Sequence, residues 1–198
     1  MITEFTNSLE QLIKTSYYHL PYALKILAII WAINMLNWYL LSGVLNNLGI
    51  YPRRLRSLPG IFFAPILHGN VSHLFYNSIP FVMLSVFILS YGKIYYFVAT
   101  LDITLLCGIA VWLFGRRAMH IGASGLVMGY WGLLLTNAYH HPTANTLILA
   151  IVTLYYFSGL MLNLFPSEIK VSWEAHIFGC LAGICTPSVM VWFSHLHF

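Results

Sequence analysis

Six apolar runs, most of them close to twenty residues long and parted by short polar breaks, constrain this chain more than any other feature. The hydrocarbon core of a bilayer is about 30 Å thick, and roughly twenty helical residues cross it. No water at that depth satisfies backbone N–H and C=O groups, so a spanning segment of this length must close its hydrogen bonds internally, as a helix. The expectation is an all-α integral membrane protein, a multi-pass bundle of six transmembrane helices near residues 22–41, 71–90, 95–114, 124–139, 143–164 and 171–193.

Composition supports the same reading. Hydrophobic residues make up 60% of the chain and charged residues 7%, against about 45–50% and about 25% in soluble domains. Little material is left for a water-facing surface. The 13 Tyr and 6 Trp suit the two headgroup levels. A net charge of +4 is scattered between the runs and forms no stripe that tracks nucleic acid. Cys107, Cys180 and Cys185 fall inside apolar runs without CxxC or Cys/His spacing, so neither a disulfide framework nor a metal site is indicated.

Residues 1–20 read as an N-terminal interfacial segment, with Phe5, Leu9, Leu12 and Ile13 at helical spacing. They carry Glu4, Glu10 and Lys14, unlike a cleavable signal, so the first apolar run is expected to be an uncleaved anchor that starts at Pro21. Residues 21–198 read as one transmembrane domain without internal repeats. The segment 58–67 is apolar but too short to cross and is interrupted by Pro59, Gly60 and Pro65. A loop that dips into the membrane fits it. The fourth run is also short, about 24 Å of helix from Ser124 onward, as if its N-terminus began below the surface in a polar cavity.

Polar residues inside such runs carry the functional expectation, because ionisable groups at membrane depth are expensive. Alternating helices put the starts of the second, fourth and sixth spans on one side of the bilayer. His68, His73 and Asn77 lie at the first of these, His120 and Ser124 at the next, and His176 at the last. Ser124 sits in Gly122-Ala123-Ser124-Gly125, where glycines admit close approach and a helix N-terminus favours an anion. A serine hydroxyl needs a base to become a nucleophile. His176, followed by Gly179 and Gly183 at G-x-x-x-G spacing, can supply one if its helix packs closely on the fourth. His73 and Asn77, four apart, share a helix face and can donate hydrogen bonds to an oxyanion. Each feature alone has a plainer explanation: a capping serine, an interhelical hydrogen bond, a packing glycine. Asp102 lies mid-span without an assigned role, Glu174 points away from the face of His176, and His140, His141, His195 and His197 fall at the opposite side.

Taken in order, His68 with His73 and Asn77, then Gly122-Ala123-Ser124-Gly125, then Ala175-His176 with Gly179 and Gly183, resemble the rhomboid intramembrane serine proteases. The resemblance covers most of the chain, from about residue 58 onward. It implies the six-helix rhomboid fold and a Ser–His dyad, Ser124 as nucleophile and His176 as general base. His73, Asn77 and the Ser124 backbone N–H would form the oxyanion hole, with His68 beside them and Gly122, Gly125, Gly179 and Gly183 as structural support. Substrates would be transmembrane proteins in the plasma membrane of a bacterium, no cofactor would be needed, and the fifth span with the loop before the sixth would form a gate. Two positions differ from the family pattern: Met128 stands where Tyr is frequent, and Arg56-Ser57-Leu58-Pro59 replaces a Trp-Arg pair in the first long loop. A catalytically inactive relative that binds transmembrane helices is the alternative reading. The family's cytoplasmic N-terminus and the Lys/Arg distribution, with Arg53, Arg54, Arg56, Arg116, Arg117 and Lys170 on the side of Ser124 against Lys14, Lys25 and Lys93 on the other, point to opposite orientations.

Overall fold

The computed structural model describes residues 2–162 and 172–195. The end of the fifth expected span, the loop before the sixth with Pro166 and Lys170, and His197 lie outside the described residues. The described chain is helical, with a lone backbone bridge between Ile50 and His120. Its α-helices are α1 (Ile2–Tyr39), α2 (Gly60–Phe63), α3 (Val71–Leu89), α4 (Lys93–Phe114), α5 (Ser124–His140), α6 (Ala144–Leu162) and α7 (Trp173–His195). Three of these regions (Thr6–Tyr39, Val71–Leu89 and Lys93–Phe114) are long and apolar enough to cross a membrane.

The helix bounds follow the apolar runs within a few residues, except at the start. Pro21 does not begin a helix; it lies inside α1, which runs unbroken for 38 residues. Proline removes one backbone bond, a loss that helices in apolar surroundings absorb by local adjustment. At the other end of α1 the side chain of Asn37 builds a polar corner. Its Oδ1 accepts from the Leu45 amide (2.9 Å), its Nδ2 donates to Asn46 Oδ1 (3.0 Å), and Gly43 turns the chain at φ +79°.

The segment that follows hugs the bundle. Short 3-10 turns at Val44–Leu48, Leu55–Ser57 and Ala64–Ile66 flank the single turn of α2. The Arg53 amide donates to Trp112 O, Trp112 Nε1 donates to Arg54 O (both 3.0 Å), and the bridge at Ile50 ties the segment to the α4–α5 loop. Gly108 of α4 makes room for Ile61, since a Cβ there would stand 2.5 Å from its Cγ2.

At the centre stands α5, with residues 125–134 all buried. Helices α3, α4, α6 and α7 pack around it, α7 over the largest contact. Several hydroxyls among these helices are paired: Tyr130 with Thr100 (2.7 Å), Ser85 with Tyr96 (3.3 Å), and Asn137 Nδ2 donates to Tyr95 OH (2.9 Å). Unpaired, such groups cost several times what a made bond contributes.

Candidate active site

Apolar attraction cannot hold helices together in lipid, so backbone approach has to. Helices α5 and α7 meet glycine against carbonyl. A Cβ on Gly179 would collide with the carbonyl oxygen of Gly125, one on Gly183 with that of Gly129, and one on Gly132 would sit 2.5 Å from Cys180 O. This contact brings the first turns of the two helices together, with Gly125 next to Ala175. Ser124 opens α5, and His176 lies in the first turn of α7, 7% exposed.

Ser124, His176, His73 and Asn77 line one cavity of about 550 Å³, together with Asn70, Met119, Met128 and Ser172. The expected site residues of α3, α5 and α7 therefore share a single space. Gly179 and Gly183 do not line it; they set the helix contact beneath it.

α3 is placed by its cap. Asn70 Oδ1 accepts from the His73 amide at 2.8 Å, which satisfies one of the donors a helix start leaves open. One turn on, Asn77 Nδ2 donates to His73 O at 2.9 Å; an amide NH2 carries two hydrogens, so a second donor remains for the cavity. Gly122 abuts the His73 ring. It has φ +120°, and a Cβ there would lie 2.6 Å from Cε1 and 2.7 Å from Nε2. Position 122 is thus restricted to glycine twice over, by backbone conformation and by the imidazole.

His68 works behind the cavity. It is fully buried, its ring packs edge-on to that of His73 at 5.0 Å, and its Nε2 accepts the Ala123 amide at 3.3 Å. That bond needs a lone pair on Nε2, so the ring is neutral with its proton on Nδ1. Burial, reinforced by the neighbouring His73, pushes its pKa down to about 3. The His68 backbone is held in turn by α1: its amide donates to Asn34 Oδ1 (2.8 Å) and its carbonyl accepts from Trp38 Nε1 (3.0 Å). His68 thereby links α1, the start of α3 and the residue before Ser124.

His120 lies outside the cavity lining. Buried in the α4–α5 loop, it meets Ser172 Oγ through Nδ1 (2.5 Å) and Arg116 O through Nε2 (3.0 Å). Burial lowers its pKa against a smaller rise from the Arg116 carbonyl. Glu174 is 4% exposed. One of its carboxylate oxygens faces Arg116 Nε at 3.4 Å and accepts the Arg116 amide at 3.3 Å. Asp102 of α4 faces Thr186 of α7. The pairs Asp102–Thr186, Glu174–Arg116 and His120–Ser172 lie 52 to 84 residues apart along the chain, and no local spacing announces them. Among the described residues, no group of three or more His, Cys, Asp and Glu side chains is placed to hold a metal ion.

Comparisons with known proteins bear on the same region. Residues 55–193 match the Rhomboid domain family model. Uncharacterized proteins of Mycobacterium bovis and Mycobacterium tuberculosis are each 33% identical over 145 residues, which is 69% of this chain and 60% of the relative. One of Mycobacterium leprae is 30% identical over 170 residues, 81% of this chain and 67% of the relative. The chain thus spans 60% of the length of the first two relatives it matches. The family match takes in α3 to α7 and every residue of the shared cavity, and on that ground this membrane protein belongs to the rhomboid family.

Proposed function

We propose that the protein is an intramembrane serine endopeptidase that cleaves transmembrane protein substrates with a Ser–His dyad. In this reading six helices span the bilayer and the segment 58–67 dips into it. Ser124 attacks the scissile carbonyl while His176 takes its proton. His73, Asn77 and the Ser124 amide donate to the oxyanion, and His176 then protonates the leaving amine. Water hydrolyses the acyl-enzyme, with His176 again acting as base. The observation that carries the reading is the common cavity, which brings together the Ser124 hydroxyl, the buried His176 imidazole and the donors His73 and Asn77 from three different helices, in a space large enough for a peptide segment. Glycines at 122 and 125 let the His73 ring and the first turn of α7 close in on either side of the nucleophile.

A second reading has one observation in its favour. Met128, four residues after Ser124, lines the same cavity with no polar atom able to donate to the histidine. A relative that binds transmembrane helices without cutting them fits such a site too.

A serine-directed fluorophosphonate applied to the purified protein separates the two. Labelling that disappears in Ser124→Ala, with cleavage of a model transmembrane substrate lost in both Ser124→Ala and His176→Ala, is expected. An unlabelled protein, or labelling that survives Ser124→Ala, would favour the silent relative.

A further inference from the structure

Two chain segments approach the cavity, one leading into Ser124 and the other into His176, and they are fastened to each other just before each residue. Arg116 and His120 stand eight and four residues before Ser124; Ser172 and Glu174 stand four and two before His176. Arg116 pairs with Glu174 through both its side chain (3.4 Å) and its amide (3.3 Å), and His120 pairs with Ser172 at 2.5 Å. Glu174 and His120 are both buried, so neither contact is a solvent-screened surface pair. A carboxylate in the first turn of α7 is also favoured by the helix dipole. Ser172 also lines the cavity; what the two contacts fix is the register of one segment on the other.

We propose that Arg116–Glu174 and His120–Ser172 form a two-point fastening that sets the separation of the Ser124 hydroxyl and the His176 imidazole, with all four acting as positioning residues. The inference rests on the dyad reading above. The glycine contact between α5 and α7 fixes how closely the helices lie, yet glycines offer no side chain to stop one helix sliding along the other. A directional ion pair and a hydrogen bond at the mouth supply that stop. Displacement of a general base by about 1 Å can cost about 100-fold in rate, so the fastening bears on catalysis through the register of the two segments.

The test uses the full chain in detergent or nanodiscs. Glu174→Ala and Arg116→Gln are each expected to slow fluorophosphonate labelling of Ser124 about 10- to 100-fold with KM for a model substrate unchanged. Glu174→Gln, which keeps the acceptor for the Arg116 amide, should lose less, and the exchanged pair Arg116→Glu with Glu174→Arg should recover part of the loss. Arg117→Gln, an exposed neighbour, is the control. A second readout does not depend on activity: the ring-nitrogen NMR resonances of His176, observed in a Ser124→Ala background, should shift or broaden in Glu174→Ala and return in the exchanged pair. Unchanged His176 resonances in a folded Glu174→Ala protein would overturn the proposal, whatever the labelling shows. Shifted resonances in a protein that is never labelled would leave the fastening standing and sink the protease reading instead.

Discussion

Helices α5 and α7 touch through glycine Cα atoms and carbonyl oxygens, whereas α1 and α6 approach the bundle through long side chains and leave gaps. Leu9, Leu12 and Tyr17 of α1, Val82 and Val86 of α3, and Leu149 of α6 border a cavity of about 460 Å³. Another of about 330 Å³ lies between α1 and α4 and reaches in to Leu126 and Tyr130 of α5. Apolar side chains such as Ile29, Tyr39 and Ile151 point outward. The contrast follows from what each side must do. A lipid tail fills an outer gap as well as a leucine does, so loose packing there costs little. In the inner pair no atom can be added, and the positions of two polar side chains depend on it.

Substitution at the inner contact should produce the largest effects. Gly183→Val inserts its side chain into the Gly129 carbonyl, a backbone atom that cannot turn aside. The expected cost exceeds about 3 kcal/mol, seen as loss of a cooperative thermal transition. Ile151→Ala on the outer face should move the same transition by no more than about 0.5 kcal/mol. Equal effects from the two would erase the distinction.

Gly122→Ala tests the neighbourhood of His73 and combines a strained φ with a ring contact. Fluorophosphonate labelling should fall about 10- to 100-fold, while the thermal midpoint drops by an amount equivalent to about 1–3 kcal/mol.

Acid probes the link at His68. The folded ring stays neutral down to about 3, whereas in the unfolded chain it takes a proton near 6.5. Stability from this site is full above pH 6.5 and falls as the pH is lowered from there toward 3, by about 1.4 kcal/mol per pH unit. Thermal midpoints measured from pH 7 to pH 5 should decline by the equivalent of about 2 kcal/mol more in the parent than in His68→Gln.

A smaller effect belongs to a single buried hydroxyl. Tyr130→Phe removes the partner of Thr100, whose oxygen still donates to Tyr96 O, so the expected loss is about 1 kcal/mol. Tyr17→Phe, far out on α1, should lie within error. A larger loss at Tyr17 than at Tyr130 would reverse the ranking of the two regions.

Periodicity and length gave the helices, because a twenty-residue apolar run has one economical conformation in lipid. Pro21 is the exception: proline suits the first turn of a helix and is also tolerated inside one, and nothing in its neighbours decides between the two. The grouping of His73, Asn77, Ser124 and His176 was legible from alternation of helix direction together with family resemblance. Glu174 was legible only as facing elsewhere; its partner Arg116 is 58 residues away and meets it where the α4–α5 loop packs on the first turn of α7. His68 was read as a companion of the oxyanion donors, yet its ring nitrogen accepts the Ala123 amide, a bond that requires the folded α4–α5 loop.

One consequence follows from α5 being short and enclosed. At 17 residues it is about 25 Å long, and its neighbours shield it from the acyl chains over most of that length. Its depth is therefore dictated by the surrounding helices and is indifferent to how thick the host membrane is. A client helix has no such shelter and rides up or down with the leaflets. For an enzyme of the kind proposed, each 3 Å of added hydrocarbon, 1.5 Å per leaflet, would present the next residue of the client to Ser124. The cut site would then be chosen jointly by sequence and by membrane thickness, with the protein as the fixed ruler.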